Sequence, residues 1–168
     1  MNIVLTGFMA TGKTKISKAL SELTGYKLVD TDEMITEREG KTINEIFEEI
    51  GEEGFRKKEH EVICEAAKLD GYIISTGGGV PLNRENMKEL RKNGIIVNLS
   101  PSFDVIKERL EKARESRPLL KNSGLADIEK RFNDRKPFYA DCDYSVSVNN
   151  EKQPQDFAQT IIDMCKLT

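Results

Sequence analysis

Short apolar runs alternate with longer amphipathic segments along the whole chain. The first run, Asn2-Ile3-Val4-Leu5-Thr6, is rich in β-branched residues, as a strand buried on both faces should be. Tyr26-Lys27-Leu28-Val29, Gly71-Tyr72-Ile73-Ile74-Ser75, residues 95–99 and Tyr144-Ser145-Val146-Ser147-Val148 read as further strands. Between them the period changes. Ile16, Ala19, Leu20 and Leu23 recur at helical spacing over 15–23, and Gly25 stands where a helix ends. Residues 33–39 read as a short helix stopped by Gly40, and Thr42 with Glu45 forms a capping box that opens a helix over 43–50. After an interruption at 51–54, Phe55, Val62, Ile63, Ala66 and Leu69 make the apolar face of a longer helix over 55–69. Asn83 caps a helix over 84–92, and Ser100-Pro101-Ser102 opens another to about residue 113 with Val105, Ile106 and Leu110 inward. A helix over 126–140 carries Pro137, which must bend or end it, and a last one over 154–166 starts with proline in its first turn. Alternating strands and helices predict an α/β domain with a parallel sheet of about five strands, whose ligands sit beyond the carboxyl ends of the strands.

Composition leaves that picture intact and narrows the partners. A chain of 168 residues, 38% hydrophobic and 33% charged, suits one globular domain with its own core. Its net charge of −3 argues against a nucleic-acid partner, and no apolar run approaches the ~20 residues of a membrane span. With a strand starting at Asn2, no signal peptide is expected. Cys64, Cys142 and Cys165 are scattered and outside any C-x-x-C pair, so they read as reduced, buried thiols of a cytoplasmic protein. His60 is the sole histidine; it argues against a histidine metal site or a Ser-His-Asp triad and reads as a lone surface residue.

The chemistry starts at Gly7-Phe8-Met9-Ala10-Thr11-Gly12-Lys13-Thr14, which fits G-x-x-x-x-G-K-[ST] at every fixed position, between a strand and a helix. Glycines let backbone N–H groups crowd a phosphate, Lys13 brings a compact charge, and the Thr14 hydroxyl suits Mg²⁺. Asp30-Thr31-Asp32 follows the second strand. Where the chain stays extended both acids share a side, one to hold Mg²⁺ through water and one to accept or orient a proton; alternatively Asp32 only caps the next helix. Thr76-Gly77-Gly78-Gly79 ends the third strand, and three bare residues invite a small substrate against the backbone, or else a tight turn. Arg56 sits at a helix start, where a cation opposes the dipole unless a ligand or Glu59 partners it. Arg117, in the polar stretch 112–124, and Arg135 offer guanidinium forks suited to carboxylate or phosphate. These residues predict a phosphotransferase or NTPase and leave the acceptor open.

Taken together, the Gly7–Thr14 loop, Asp30-Thr31-Asp32, Phe55-Arg56-x-x-Glu59, Thr76-Gly77-Gly78-Gly79, Arg117-Pro118-Leu119-Leu120 and Arg135-x-Pro137-x-Tyr139 resemble shikimate kinase, in order and over essentially the whole chain. The resemblance implies a three-layer α/β/α P-loop kinase fold: one domain over 1–168 with a central five-stranded parallel sheet, a substrate-binding helical segment at about 31–61 and a lid at about 112–124. It implies transfer of a phosphoryl group from MgATP to the 3-hydroxyl of shikimate by a cytoplasmic monomer. By position, Ala10, Thr11, Gly12, Lys13, Thr14 and Lys15 would hold the ATP phosphates, with Thr14 on Mg²⁺ and Asp30 aiding through water. Asp32 would meet the shikimate hydroxyls as base or orienting group, Arg56 and Arg135 would clamp the carboxylate, and Gly77, Gly78 and Gly79 would present backbone to the ring. Arg117 would stabilise the transferring phosphate. Lys152 falls beside the adenine, and Arg109 near the nucleotide-side arginine, one residue further from Arg117 than the pattern has it. Ala10-Thr11 departs from the glycine and small residue usual there. A gluconate-type kinase of the same group, or a nucleotide-binding regulator without transfer activity, remains the alternative.

Overall fold

The computed structural model describes residues 1–116 and 124–167. Five strands form one parallel sheet: β1 (Asn2–Gly7), β2 (Lys27–Asp30), β3 (Tyr72–Ser75), β4 (Gly94–Pro101) and β5 (Tyr144–Val148), in the spatial order β2-β3-β1-β4-β5. All six residues of β1 are buried, which its unbroken apolar run anticipated. It pairs Ile3 with Ile73 on one side and with Ile95 on the other. The chain therefore leaves β1 in one direction for β2 and β3 and builds β4 and β5 on the opposite flank. That reversal opens a crevice at the carboxyl end of β1.

Successive β1 residues face opposite layers. Ile3 and Leu5 join Ile16 and Leu20 of α1 (Lys13–Thr24) and Phe157 and Ile161 of α7 (Pro154–Cys165). Val4 joins Ile63 and Ala66 of α3 (Ile43–Ala66) and Met87 and Leu90 of α4 (Arg84–Arg91). The expected three-layer α/β/α architecture is thus present, with α2 (Thr31–Glu39) packed on α3 through Ile35, Ile46, Phe55 and Val62. Leu23, placed on the buried face of the first helix by spacing, is instead 50% exposed in the last turn of α1. The helix α5 (Phe103–Ser116) continues three residues past its expected end, so the start of the polar stretch is helical; the rest of it, with Arg117, lies outside the described residues. Pro137 sits near the end of α6 (Leu125–Tyr139), which stops two residues later.

Two boundaries differ from the sequence reading in ways that matter. First, α2 begins at Thr31, so Asp30 is its N-cap and accepts from the N–H groups of Asp32 (2.9 Å) and Glu33 (3.1 Å). Asp30 and Asp32 are therefore not strand neighbours on one side; the capping role falls to Asp30, and Asp32 is carried inside the helix. A carboxylate acceptor next to two free amides outweighs one more residue of strand. Second, the break expected at 51–54 is present but confined to Gly51, with φ 71° and ψ 179°, so the second helical half of α3 resumes directly after it and ends at Ala66. That combination is open to glycine and to almost nothing else. The thiols of Cys64, Cys142 and Cys165 are free but only half-buried, not the fully buried positions expected, and burial pushes the Cys142 and Cys165 thiols up.

Gly51 aims the second half of α3, which carries Arg56, Glu59 and His60. We predict that Gly51→Ala destabilises the fold by about 1–3 kcal/mol, measured by chemical unfolding; an unchanged midpoint would show that the kink tolerates a side chain.

Candidate active site

The phosphate loop hangs from β1 and is pinned by its own aromatic residue. Phe8 is buried edge-on against Phe132 (5.4 Å between centroids) and Tyr139 (6.4 Å) of α6. Ala10 adopts φ 60° and Gly12 φ 85°. Ala10 thus occupies the left-handed region where the loop departs from a glycine, a geometry that costs an alanine roughly 1–2 kcal/mol. Arg109 holds it there: its guanidinium donates to Ala10 O (2.8 Å), Asn149 O (3.1 Å) and Asn150 Oδ1 (2.8 Å). A cavity of about 720 Å³ lies against the loop, lined among others by Lys13, Thr14, Arg109, Asn150, Lys152 and Pro154. Arg109 and Lys152 thus line the same cavity as the loop, while Asn149 and Asn150, with no motif to mark them, complete the tie behind β5.

Lys13 is half-buried and donates to Gly7 O and, at 3.4 Å, to Phe8 O. Desolvation pushes its ammonium down to about 8, against the opposing pull of Asp32 and Asp30. Desolvation also pushes Asp32 up, helped by Asp30 and resisted by Lys13 and Arg56. A carboxylate held above its ordinary range and a lysine held below it, each acting on the other, are the pattern of a functional site.

Opposite the loop, the glycine triplet is enclosed by the residues singled out in the sequence. A Cβ at Gly77 would stand 2.6 Å from Asp32 Oδ1, and one at Gly78 would stand 3.4 Å from Arg135 Nη1. One at Gly79 would overlap the Arg56 guanidinium, with Nη2 at 2.6 Å. At Gly77 and Gly79 a side chain would have to displace Asp32 or Arg56, whereas at Gly78 a Cβ would only touch Arg135. Arg56 is not at a helix start, since α3 runs through it; Glu59, 1% exposed, pairs with it at 3.0 Å, and Glu52 lies 3.8 Å away. Desolvation pushes the Glu59 carboxyl up and Arg56 counters it. Arg135 lies 5.8 Å from the Phe8 ring centroid, which ties it to the phosphate loop. Tyr139 donates to Gly78 O at 2.7 Å, and Thr31 accepts from Gly77 N–H at 3.1 Å. Thr31 is fully buried; nothing in the spacing of Asp30-Thr31-Asp32 marks the middle residue as the one that holds the glycine turn.

The carboxyl ends of the strands therefore carry the phosphate loop and a glycine turn ringed by Asp32, Arg56 with its partner Glu59, and Arg135. A family model described as shikimate kinase matches residues 9–166. A shikimate kinase from Caldicellulosiruptor bescii is 47% identical over 149 residues, covering 88% of this chain and 86% of that protein. The chain belongs to the shikimate kinase family. A second shikimate kinase, from Caldanaerobacter subterraneus subsp. tengcongensis, is 41% identical and covers 96% of this chain and 94% of its own length. The crystal structure of shikimate kinase from Bacteroides thetaiotaomicron superposes with a TM-score of 0.90 at 33% identity, covering 99% of each chain. That of the Acinetobacter baumannii shikimate kinase in complex with shikimate has a TM-score of 0.87 at 32% identity, covering 98% of this chain and 92% of the other. The five-stranded P-loop kinase architecture inferred from the resemblance is that of the family.

Within this family site, Gly79 and Arg56 compete for one volume. Gly79→Ala should displace the guanidinium and raise the KM for the acceptor about tenfold while leaving that for the nucleotide within about twofold, as expected when one charged contact of 1.5–3 kcal/mol is lost; equal change in both constants would overturn this.

The lowered Lys13 value carries a second expectation. Above pH 8 the nucleotide-free protein loses the positive charge that phosphates need, so affinity for ADP should fall as pH rises from 7 to 9.5. Between pH 8 and the lysine's ordinary 10.5 the unfolded chain binds more protons than the folded one, so this group adds stability as pH rises there. Calorimetric titration with ADP checks the first statement, and a flat affinity over that range would refute it.

Proposed function

We propose that the chain transfers the γ-phosphoryl group of ATP to the 3-hydroxyl of shikimate, giving shikimate 3-phosphate and ADP. The observation that carries this reading is the glycine turn enclosed by Asp32, Arg135 and Arg56 opposite the Gly7–Thr14 cradle. An anionic, polyhydroxylated ring fits such a chamber: guanidinium forks match a carboxylate, and an elevated carboxylate meets a hydroxyl. Family membership supports the same choice over a gluconate-type kinase. A regulator without transfer activity has no use for a second, fully equipped chamber.

In this reading Ala10, Thr11, Gly12, Lys13, Thr14 and Lys15 hold the triphosphate, and Arg109 and Lys152 border the nucleotide. Arg56 and Arg135 take the shikimate carboxylate, Gly77, Gly78 and Gly79 face the ring, and Asp32 orients the hydroxyl. As that oxygen bonds to the γ-phosphorus, the bond to the β,γ-bridging oxygen breaks and the hydroxyl proton passes to Asp32. Lys13 remains against the phosphates throughout. Most of the acceleration comes from positioning and positive charge, as a loose phosphoryl transition state requires. Arg117 and the rest of the expected lid over 117–123 lie outside the described residues.

The donors present suit magnesium. Thr14 offers an exposed hydroxyl at the end of the loop, and the second carboxylate oxygen of Asp30 is spared by the capping bonds, which use Oδ1 alone. Among the described residues no three acidic, histidine or cysteine side chains cluster, so the ion would draw its other ligands from phosphates and water, as Mg²⁺ prefers. Bound there, it would neutralise charge on the β- and γ-phosphates. Both chambers are built by one chain, in keeping with a monomer acting on small molecules. The three free thiols are in keeping with a reducing, cytoplasmic compartment, and among the described residues no helix is long and apolar enough to cross a membrane.

A coupled ADP-release assay with MgATP tests the activity: turnover is expected with shikimate, and turnover with a sugar acid alone would overturn it. Asp32→Ala should abolish transfer while ADP affinity, by calorimetry, stays within about threefold. Loss of both together would remove Asp32 from its assigned role.

A further inference from the structure

The histidine expected on the surface is half-buried and engaged on both ring nitrogens. His60 Nδ1 lies 2.6 Å from Asn86 Oδ1, and His60 Nε2 lies 3.5 Å from Cys64 Sγ. Asn86 has no exposed surface, and its Nδ2 donates to Val80 O at 3.1 Å. The donor inventory makes this chain directional. Val80 O only accepts, so the Asn86 amide must turn its nitrogen toward it and its oxygen toward the imidazole. Nδ1 of His60 must then carry the proton, which leaves Nε2 as the acceptor for the Cys64 S–H. The order runs Cys64, His60, Asn86, Val80, with every polar atom along it satisfied.

Its far end is the glycine turn. Val80 follows Gly79 directly and opens the 3-10 turn Val80–Leu82, and its own N–H donates to Gly77 O at 3.1 Å. Val80 O also accepts from Asn83 N–H at 3.3 Å, so the side chain of Asn86 and the cap of α4 converge on one carbonyl. Its near end is the helix of the guanidinium clamp: His60 is one turn beyond Arg56 on α3, and Arg56 lies in contact with Gly79. Among the described residues three side chains tether the turn by hydrogen bonds: Thr31 from α2 at Gly77, Tyr139 from α6 at Gly78, and the His60–Asn86 pair at Val80. The third joins the turn to the helix that carries Arg56, whose Ile63 and Ala66 also pack in one cluster with Val80.

We propose that His60 and Asn86 are positioning residues that set the gap between the Arg56 guanidinium and the Gly77–Gly79 backbone, and so the affinity for the acceptor substrate. Neither touches the substrate; each acts through an element that does. The inference rests on the phosphotransfer reading above for its kinetic arm and on the hydrogen-bond geometry alone for its spectroscopic one.

Two variants separate tether from bulk. His60→Phe keeps a ring and loses the donor, whereas His60→Asn places an amide N–H where Nδ1–H stood. His60→Phe should raise the KM for shikimate roughly fivefold, the effect of losing about one hydrogen bond, with kcat and the KM for ATP within about twofold. His60→Asn should restore it. In ¹H–¹⁵N spectra the amide signals of Gly77, Gly78 and Gly79 should move in His60→Phe and return in His60→Asn. Should His60→Phe fail to fold, Asn86→Asp, which turns an acceptor toward Val80 O at equal size, should give the same KM signature. An unaltered KM for shikimate, a parallel rise in both KM values, or no rescue by asparagine would overturn the proposal. So would a ¹⁵N spectrum with the proton on Nε2. If the wild type fails to use shikimate, the reading of the reaction falls, and unmoved glycine signals would be needed to remove the tether as well.

Discussion

The glycine turn and the charged side chains around it share one space: a Cβ at Gly77 would press on Asp32 Oδ1 at 2.6 Å and one at Gly79 on the Arg56 guanidinium, while at Gly78 Arg135 Nη1 would stand at contact distance, 3.4 Å. The relation is reciprocal. The backbone must be bare for the side chains to approach, and the side chains must be held in place for the bare backbone not to collapse or wander. Each holder comes from a different helix: α2 brings Asp32 and Thr31, α3 brings Arg56, and α6 brings Arg135 and Tyr139. The turn is where three helices meet, so its geometry depends on tertiary packing and not on any one element.

The donor half depends on the same packing by another route. Phe8 belongs to the phosphate loop, yet its ring is buried against Phe132 and Tyr139, and Tyr139 in turn bonds Gly78 O. A single helix, α6, therefore fixes the loop through aromatic edges and the glycine turn through a hydroxyl. Arg135, between them, lies 5.8 Å from the Phe8 ring centroid and would meet any side chain placed at Gly78. Donor and acceptor sites cannot shift independently without opening this seam. That is the condition for bringing two substrates to within bonding distance.

Much of this could be read before any coordinates, for physical reasons that also explain the rest. Buried parallel strands announce themselves as unbroken apolar runs, and the loop motif must recur at fixed spacing because backbone N–H groups have to converge on phosphate. Residues whose role depends on local chemistry, Lys13 and the glycines above all, were legible in that way. What depended on competition between neighbours was less so. Whether Asp30 or Asp32 caps α2 turns on which carboxylate reaches the free amides, and alternation along a strand says nothing about that. The interruption read at 51–54 is real but only one residue long: helical backbone resumes after Gly51, and Phe55 and Val62 pack against α2 from it. Thr31, Asn86 and Asn149 act through partners tens of residues away, and no local pattern encodes such a partner.

Burial shifts Lys13 and Asp32 in opposite directions for one reason: each is charged in its ordinary state and each is denied water. Their mutual attraction restores part of the loss, but the two Asp side chains repel each other, and Arg135 opposes Lys13. The protein alone thus leaves both groups short of compensation. Phosphates would supply what Lys13 lacks, and a hydroxyl donor what Asp32 lacks, so a ligand of each kind relieves a different part of the same imbalance. Thr31 and Asp32 sit in the first turn of α2, and Thr31 accepts from Gly77 N–H, so the same helix start that buries the Asp32 carboxyl also holds the glycine turn beside it.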